Sequence, residues 1–170
     1  MEDKVLVIVF PSTFSLNKIK PLITNIKKIL KIENQKFHKI RQEGDIIIVE
    51  TDDPVFTSSA INTLFGIKRV AIAKQVTNSF DSIVNGISKV GVDLFLESER
   101  FLIRVEGHAR GFMTKDVEVA ATSSLIEKTA KKRIKPGTAE RYDKQLYVYL
   151  TKSHAYICIY SDEGLEGIPN

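Results

Sequence analysis

The chain has one cysteine, Cys158, which excludes an internal disulfide framework and any multi-cysteine zinc site. No apolar run approaches the length that spans a bilayer. The apolar stretch at residues 4–10 is short and lacks a small-residue cleavage site, so it reads as a strand and not as a leader. The nine glycines are scattered. A phosphate-gripping loop needs clustered glycines whose amides converge on the anion between a strand and a helix, and neither a P-loop nor a dinucleotide fingerprint is present. Gly164-Leu165-Glu166-Gly167 lies too near the end of the sequence to open a nucleotide fold. The three histidines, His38, His108 and His154, fall on separate predicted elements without paired ligand spacing. The expectation is a cytoplasmic protein with no membrane segment, no metal and no cofactor.

What is present is an ordinary soluble surface with a basic bias. The 170 residues are 43% hydrophobic and 27% charged, enough to build a core, and the net charge is +4. A pI near 9.1 points toward an acidic partner, of which nucleic acid is the commonest. The charge is also uneven. Between residues 100 and 135 lie nine Lys or Arg against four Asp or Glu, while Asp162, Glu163 and Glu166 sit near the C-terminus.

Hydrophobic periodicity gives a chain of alternating elements. Residues 4–10 are rich in β-branched side chains and Pro11 ends them. Pro21 suits the first turn of a helix beginning near Lys20, with Leu22, Ile23, Ile26, Ile29 and Leu30 at helical spacing. Residues 36–41 and 45–50 flank a turn carrying Glu43 and Gly44 and read as a hairpin. Asp53-Pro54 starts a helix over 55–64 that Gly66 closes, and residues 68–75 form a further strand. The order βαββαβ matches a split βαβ, ferredoxin-like unit.

A second unit follows a polar joint at residues 76–78. Asn78 or Ser79 caps a helix through Lys89, and Gly91 is expected to end it. Residues 100–106 alternate apolar with charged and predict a strand. Thr114 is a candidate cap for a long helix trailing into residues 128–135, broken by Pro136 and Gly137. Residues 145–150 and 155–160 predict a strand pair. The fold class is α+β, with domains at 1–76 and 77–170.

Catalytic chemistry is harder to place. Cys158 lies in Ala155-Tyr156-Ile157-Cys158-Ile159-Tyr160 and reads as a small apolar strand residue, not as an exposed nucleophile beside cations. Asp52 and Asp53 have the look of an acid–base pair, but a helix-capping cluster before Pro54 already explains them. What stands out is basic. Arg104, His108 and Arg110 fall on or just beyond one strand, and Lys128, Lys131, Lys132, Arg133 and Lys135 crowd a helix end. Such residues neutralise phosphates, and Phe112 offers either a stacking face or a core side chain. Cations at a helix C-terminus are also favoured by the macrodipole alone.

Four stretches, taken in order, carry a family resemblance. They are Leu16-Asn17-Lys18-Ile19-Lys20-Pro21 leading to Asn25-Ile26, then Leu64-Phe65-Gly66-Ile67, then Phe101-Leu102-Ile103-Arg104-Val105 with His108 and Arg110, and Gly164-Leu165-Glu166-Gly167-Ile168-Pro169. Together they resemble the N-terminal region of tRNA 4-thiouridine synthetases, a ferredoxin-like domain followed by a THUMP domain. The family's early Arg-Tyr-Gly-Glu stretch is replaced by Val9-Phe10-Pro11-Ser12-Thr13, and Glu166 stands where the family tends to have glycine. In the family, an ATP-dependent adenylating domain follows the last of these elements. The resemblance therefore implies a non-catalytic module that binds tRNA, at the acceptor arm and its 3′ end, for base modification such as 4-thiouridine synthesis. It implies a separate ATP-dependent catalytic subunit as partner. The expected RNA-binding residues are Arg104, His108, Arg110, Lys131, Lys132, Arg133 and Lys135, with Lys68 and Arg69 as a secondary patch. The alternative is an accessory protein-interaction subunit with weak RNA binding of its own. A small stand-alone enzyme ranks last. The sequence leaves room for a homo-oligomer through an exposed strand without demanding one.

Overall fold

A computed structural model describes residues 4–164. The chain forms two compact units. Gln75–Ile159 make one, and the described residues up to Lys74 together with those from Tyr160 make the other.

The first unit begins with β1 (Lys4–Pro11), whose apolar run is buried from Leu6 onward on both faces. Helix α1 (Ile19–Ile32) turns Ile19, Leu22, Ile26 and Leu30 inward at helical spacing, and Lys27, Lys28 and Lys31 stay exposed. Pro21 sits in its first turn, where a missing N–H costs nothing. Strands β2 (Phe37–Glu43) and β3 (Ile46–Thr51) form an antiparallel hairpin whose last pair, Glu43 with Ile46, brackets Gly44 at φ +60°. Helix α2 (Pro54–Ile61) is capped by Asp53, whose carboxylate accepts the Phe56 N–H at 3.2 Å. Strand β4 (Ile67–Thr77) completes the order β2-β3-β1-β4. Strand β1 lies antiparallel to β3 with Ile8 opposite Ile48. Val7, Val9, Ile47 and Val49 meet the inner faces of α1 and α2 in one core.

In the second unit, helix α3 (Phe80–Leu94) is capped by the Ser79 hydroxyl. Strand β5 (Arg100–Gly107) sends Phe101, Ile103 and Val105 into the core and turns Arg104 and Glu106 outward, the period-2 pattern of a half-buried strand. Helix α4 (Thr114–Lys128), a single 3₁₀ turn (Ala130–Lys132) and a two-residue strand β6 (Lys135–Pro136) follow. Strands β7 (Lys144–Leu150) and β8 (His154–Glu163) form an antiparallel pair. The strand order is β8-β7-β5-β6, with β5 parallel to both β6 and β7. Helices α3 and α4 pack side by side and run the same way. Phe80 meets Phe112 edge-on at 6.3 Å near their starts, and the Ser88 and Ser124 hydroxyls are 2.9 Å apart farther along.

Four expectations need correction. Gly91 does not end α3. The helix runs on to Leu94, and a Cβ on Gly91 would lie 2.5 Å from Leu125 Cδ2, so the glycine admits the neighbouring helix. Helix α2 stops at Ile61, short of residue 64, and the chain tightens through i→i+3 bonds from Thr63 and Leu64 before Gly66. Thr114 is the first residue of α4 and not its cap; Met113 holds that position and offers no side-chain bond. The helix also ends at Lys128 and does not trail through residue 135. The Thr129 hydroxyl turns back onto the Leu125 carbonyl, Arg133 adopts φ +54°, and Ile134 enters the core at 6% exposure. Burying Ile134 and pairing Lys135–Pro136 with Arg100–Phe101 outweigh the helical preference of the lysine run.

Candidate nucleic-acid interface

The parallel run of α3 and α4 gives the second unit two electrostatically different ends. Each helix N-terminus carries about half a positive elementary charge and each C-terminus the reverse. Both N-termini lie where β5 and β7 finish, because the Asn78 amide ahead of α3 donates to the carbonyls of His108 at 2.9 Å and Thr151 at 2.7 Å. At this end His108, Arg110 and Lys152 are all exposed. The Arg110 guanidinium reaches the Lys152 carbonyl at 3.4 Å, which ties the β5–α4 loop to the β7–β8 turn. Asp81 and Asp116, one in each first turn, offset part of the helix field. Met113 leaves the first N–H groups of α4 without a side-chain cap. Cations added to helix N-termini reinforce a field that already attracts anions. Lys152 was missed in the sequence because nothing local distinguishes it; only the turn that brings it to Arg110 does.

The opposite end holds the cluster that looked strongest in the sequence, and the structure divides it. Lys132 is not a free surface cation. Its ammonium donates to the Val92 carbonyl and, at 3.2 Å, to that of Phe95, closing the C-terminus of α3. Lys144 does similar work, donating to Leu94 at 3.0 Å and pairing with Glu99 at 3.3 Å. Lys131, Arg133 and Lys135 remain exposed, on the 3₁₀ turn, the left-handed residue after it and β6. Lys135 lies beside Arg100 at the start of β5, whereas His108 follows its end. At about 3.3 Å per residue the two groups are roughly 26 Å apart, so they form two footholds and not one patch. Lys132→Met should lower stability by about 1–2 kcal/mol, since a charge-assisted bond to two helix-end carbonyls is lost. Urea unfolding reads that loss, and an unchanged midpoint would show the bonds contribute nothing.

Arg104 lies between the two footholds. It flanks a slot of about 420 Å³ that opens along the β5 edge where β6 stops, lined also by Leu102, Lys115, Glu118 and Gly137. The Glu118 carboxylate accepts the Val105 N–H at 2.8 Å and so covers one open group of that edge. Arg104 makes a long contact, 3.9 Å, with Glu106, whose other oxygen takes the Tyr147 hydroxyl at 2.8 Å. In the first unit Lys68 is exposed on β4, and the Arg69 guanidinium lies 4.8 Å above the Phe10 ring. Being consecutive on a strand, they point to opposite faces and do not form a joint patch.

Phe112 is half-buried, packed against the core of the second unit and edge-on to Phe80. Cys158 is buried in β8. His38 bonds Asp52 at 2.7 Å while Asp53 caps α2, so the neighbouring carboxylates have separate structural tasks. Among the described residues no three His, Cys, Asp or Glu gather as metal ligands, and no helix is long and apolar enough to cross a membrane. Of the Gly164–Pro169 stretch only Gly164 is described. Its N–H donates to the Lys68 carbonyl at 2.9 Å, and the rest lies outside the described residues.

This arrangement has counterparts among solved structures. Over 99% of its length the chain superposes on PH1313 from Pyrococcus horikoshii Ot3, with a TM-score of 0.79 and 18% identity. Over 96% it superposes on a 4-thiouridine synthetase solved as an RNA complex with bound ATP, with a TM-score of 0.71 and 13% identity. The likeness is one of fold. The chain spans 57% and 42% of the lengths of those two structures. TrmN from Thermus thermophilus is similar at a TM-score of 0.57 and 10% identity, with 95% of the chain covered. No family model matches the sequence. No curated protein matches it either.

Proposed function

We propose that the chain is a tRNA-binding module for base modification, 4-thiouridine synthesis being the leading case. It consists of a ferredoxin-like unit followed by a THUMP-type unit. The strand order β2-β3-β1-β4 supports the first assignment. The observation that carries the function is the end of the second unit where two helix N-termini meet His108, Arg110 and Lys152. Oriented amides plus exposed cations suit phosphate oxygens and carry no sequence preference, which is how a module reads RNA shape. The fold shared with a synthetase that was solved bound to RNA supports RNA as the ligand. Arg104 with Lys131, Arg133 and Lys135 would follow the backbone toward the second foothold. In this reading the acceptor region is held here, and the modifying chemistry belongs to an ATP-dependent catalytic domain outside the residues described.

Titration of the purified chain with bulk tRNA across a salt series, beside duplex DNA, tests the reading. The expected result is preference for tRNA and an affinity that falls steeply with salt, with a log–log slope of about −3 to −5 for four to six phosphate contacts. Equal, weak binding to both polymers would overturn it in favour of an accessory subunit that docks protein.

A further inference from the structure

The first unit carries a surface that the proposed function does not use. The segment after β1 folds through consecutive turns, with Ser15 N–H bonding Ser12 and Lys18 N–H bonding Ser15. It is fastened to the α2–β4 junction by the Ser12 N–H, which donates to the Gly66 carbonyl at 2.9 Å. Gly66 itself sits at φ +83°, and a Cβ there would lie 2.3 Å from Ser15 Oγ, so the two segments pass in direct contact. This junction displays Phe14 at 67% exposure and Phe65 at 50%, with the exposed Leu16 two residues after Phe14. Lys18, Lys20 and Lys68 are exposed on the same two segments. Residues 4–32 and 54–80 contain no Asp or Glu. A carboxylate that does come near is Asp162, which accepts from Asn62 at 3.2 Å. Helix α1 starts here with Lys18 as its cap residue, no side-chain cap bond and no acid in its first turn.

We propose that this aromatic and basic corner binds an unpaired segment of RNA, with bases stacked on Phe14 and Phe65 and phosphates drawn by Lys18, Lys20 and Lys68. The inference rests on the RNA-binding reading above and adds the polymer class: single-stranded, and recognised by stacking. Charge complementarity selects this occupant. The centre of a protein-docking surface is depleted in lysine, whereas here lysines interleave with the rings and no acid lies on either segment to balance them. Duplex RNA keeps its bases stacked inside and offers nothing to an exposed ring, while unpaired bases have open faces.

Replacement of both rings by leucine keeps an apolar surface and removes the π-faces. Binding of the whole chain is followed by anisotropy with a labelled single-stranded RNA of about 12 nucleotides and with a duplex of the same length. Phe14→Leu with Phe65→Leu should weaken single-strand binding about tenfold or more and leave duplex binding within about twofold. Phe14→Tyr with Phe65→Tyr should bind as the parent does, a control that also shows the fold tolerates change at these exposed sites. Lys18→Glu with Lys20→Glu should lower single-strand affinity and flatten its salt dependence. If the leucine variant binds single-stranded RNA like the parent while Arg110→Glu still lowers tRNA affinity, the stacking surface is overturned and the module's function stands. Equal loss on both polymers would overturn stacking as well, leaving only charge. If the parent chain binds neither polymer, both readings fall together.

Discussion

Arg110→Glu combined with Lys152→Glu should weaken tRNA binding about 100-fold at roughly 0.1 M salt and reduce the salt slope by about two. Both side chains are exposed where α3 and α4 begin, so the change replaces two cations by two anions in a field that favours negative charge. The same reversals at Lys131 and Arg133 should cost less, about tenfold, although three exposed cations gather there. Their end of the unit holds both helix C-termini, whose negative field already offsets part of their charge. The comparison separates dipole from simple charge count. If the Lys131 and Arg133 pair proved the costlier, the lysine-rich end would be the principal foothold and the helix argument would fail. Filter binding or anisotropy at several salt concentrations measures both affinity and slope.

Much of the fold was legible because it depends on local periodicity. The apolar stripe of α1, the hairpin around Gly44 and the alternation in β5 each declare themselves within a dozen residues. The helix ends were not legible where long-range packing overrides local signals. Gly91 looks like a stop until Leu125 is placed against it, and the lysine run after Lys128 looks helical until Ile134 is drawn into the core. The candidate site suffered in the same way. A cluster of lysines in sequence said nothing of which ammonium would cap a helix, and Lys132 turned out to do so. Arg110 and Lys152 are 42 residues apart and meet only because β5 and β7 end together.

Asn78→Asp should be the most damaging single substitution near this site, lowering stability by about 3–4 kcal/mol at neutral pH. Asn78 is 6% exposed, and its amide group donates to the carbonyls of His108 and Thr151. Those two bonds join the start of α3, the end of β5 and the turn after β7. Aspartate has the same shape but no N–H, so its carboxylate would face two carbonyl oxygens with like partial charge in a site closed to water. Protonation restores one of the two bonds, so the folded state holds this carboxyl's pKa above its unfolded value. In the interval between those two values the native state binds more protons, and stability therefore rises as pH falls. Asn78→Ala, by contrast, should cost about 2 kcal/mol with no new pH dependence. Urea unfolding of the two variants near neutral pH and at about pH 5 distinguishes them, since only the aspartate variant should recover toward the acid side. Equal destabilisation at both pH values would mean that the carboxylate escapes to solvent and that the three segments are held by packing instead. Because the same amide fixes the His108 carbonyl two residues before Arg110, the alanine variant should also lower tRNA affinity under conditions where it is still fully folded. A variant that loses stability and keeps its full affinity would show that Arg110 finds the phosphate without that anchor.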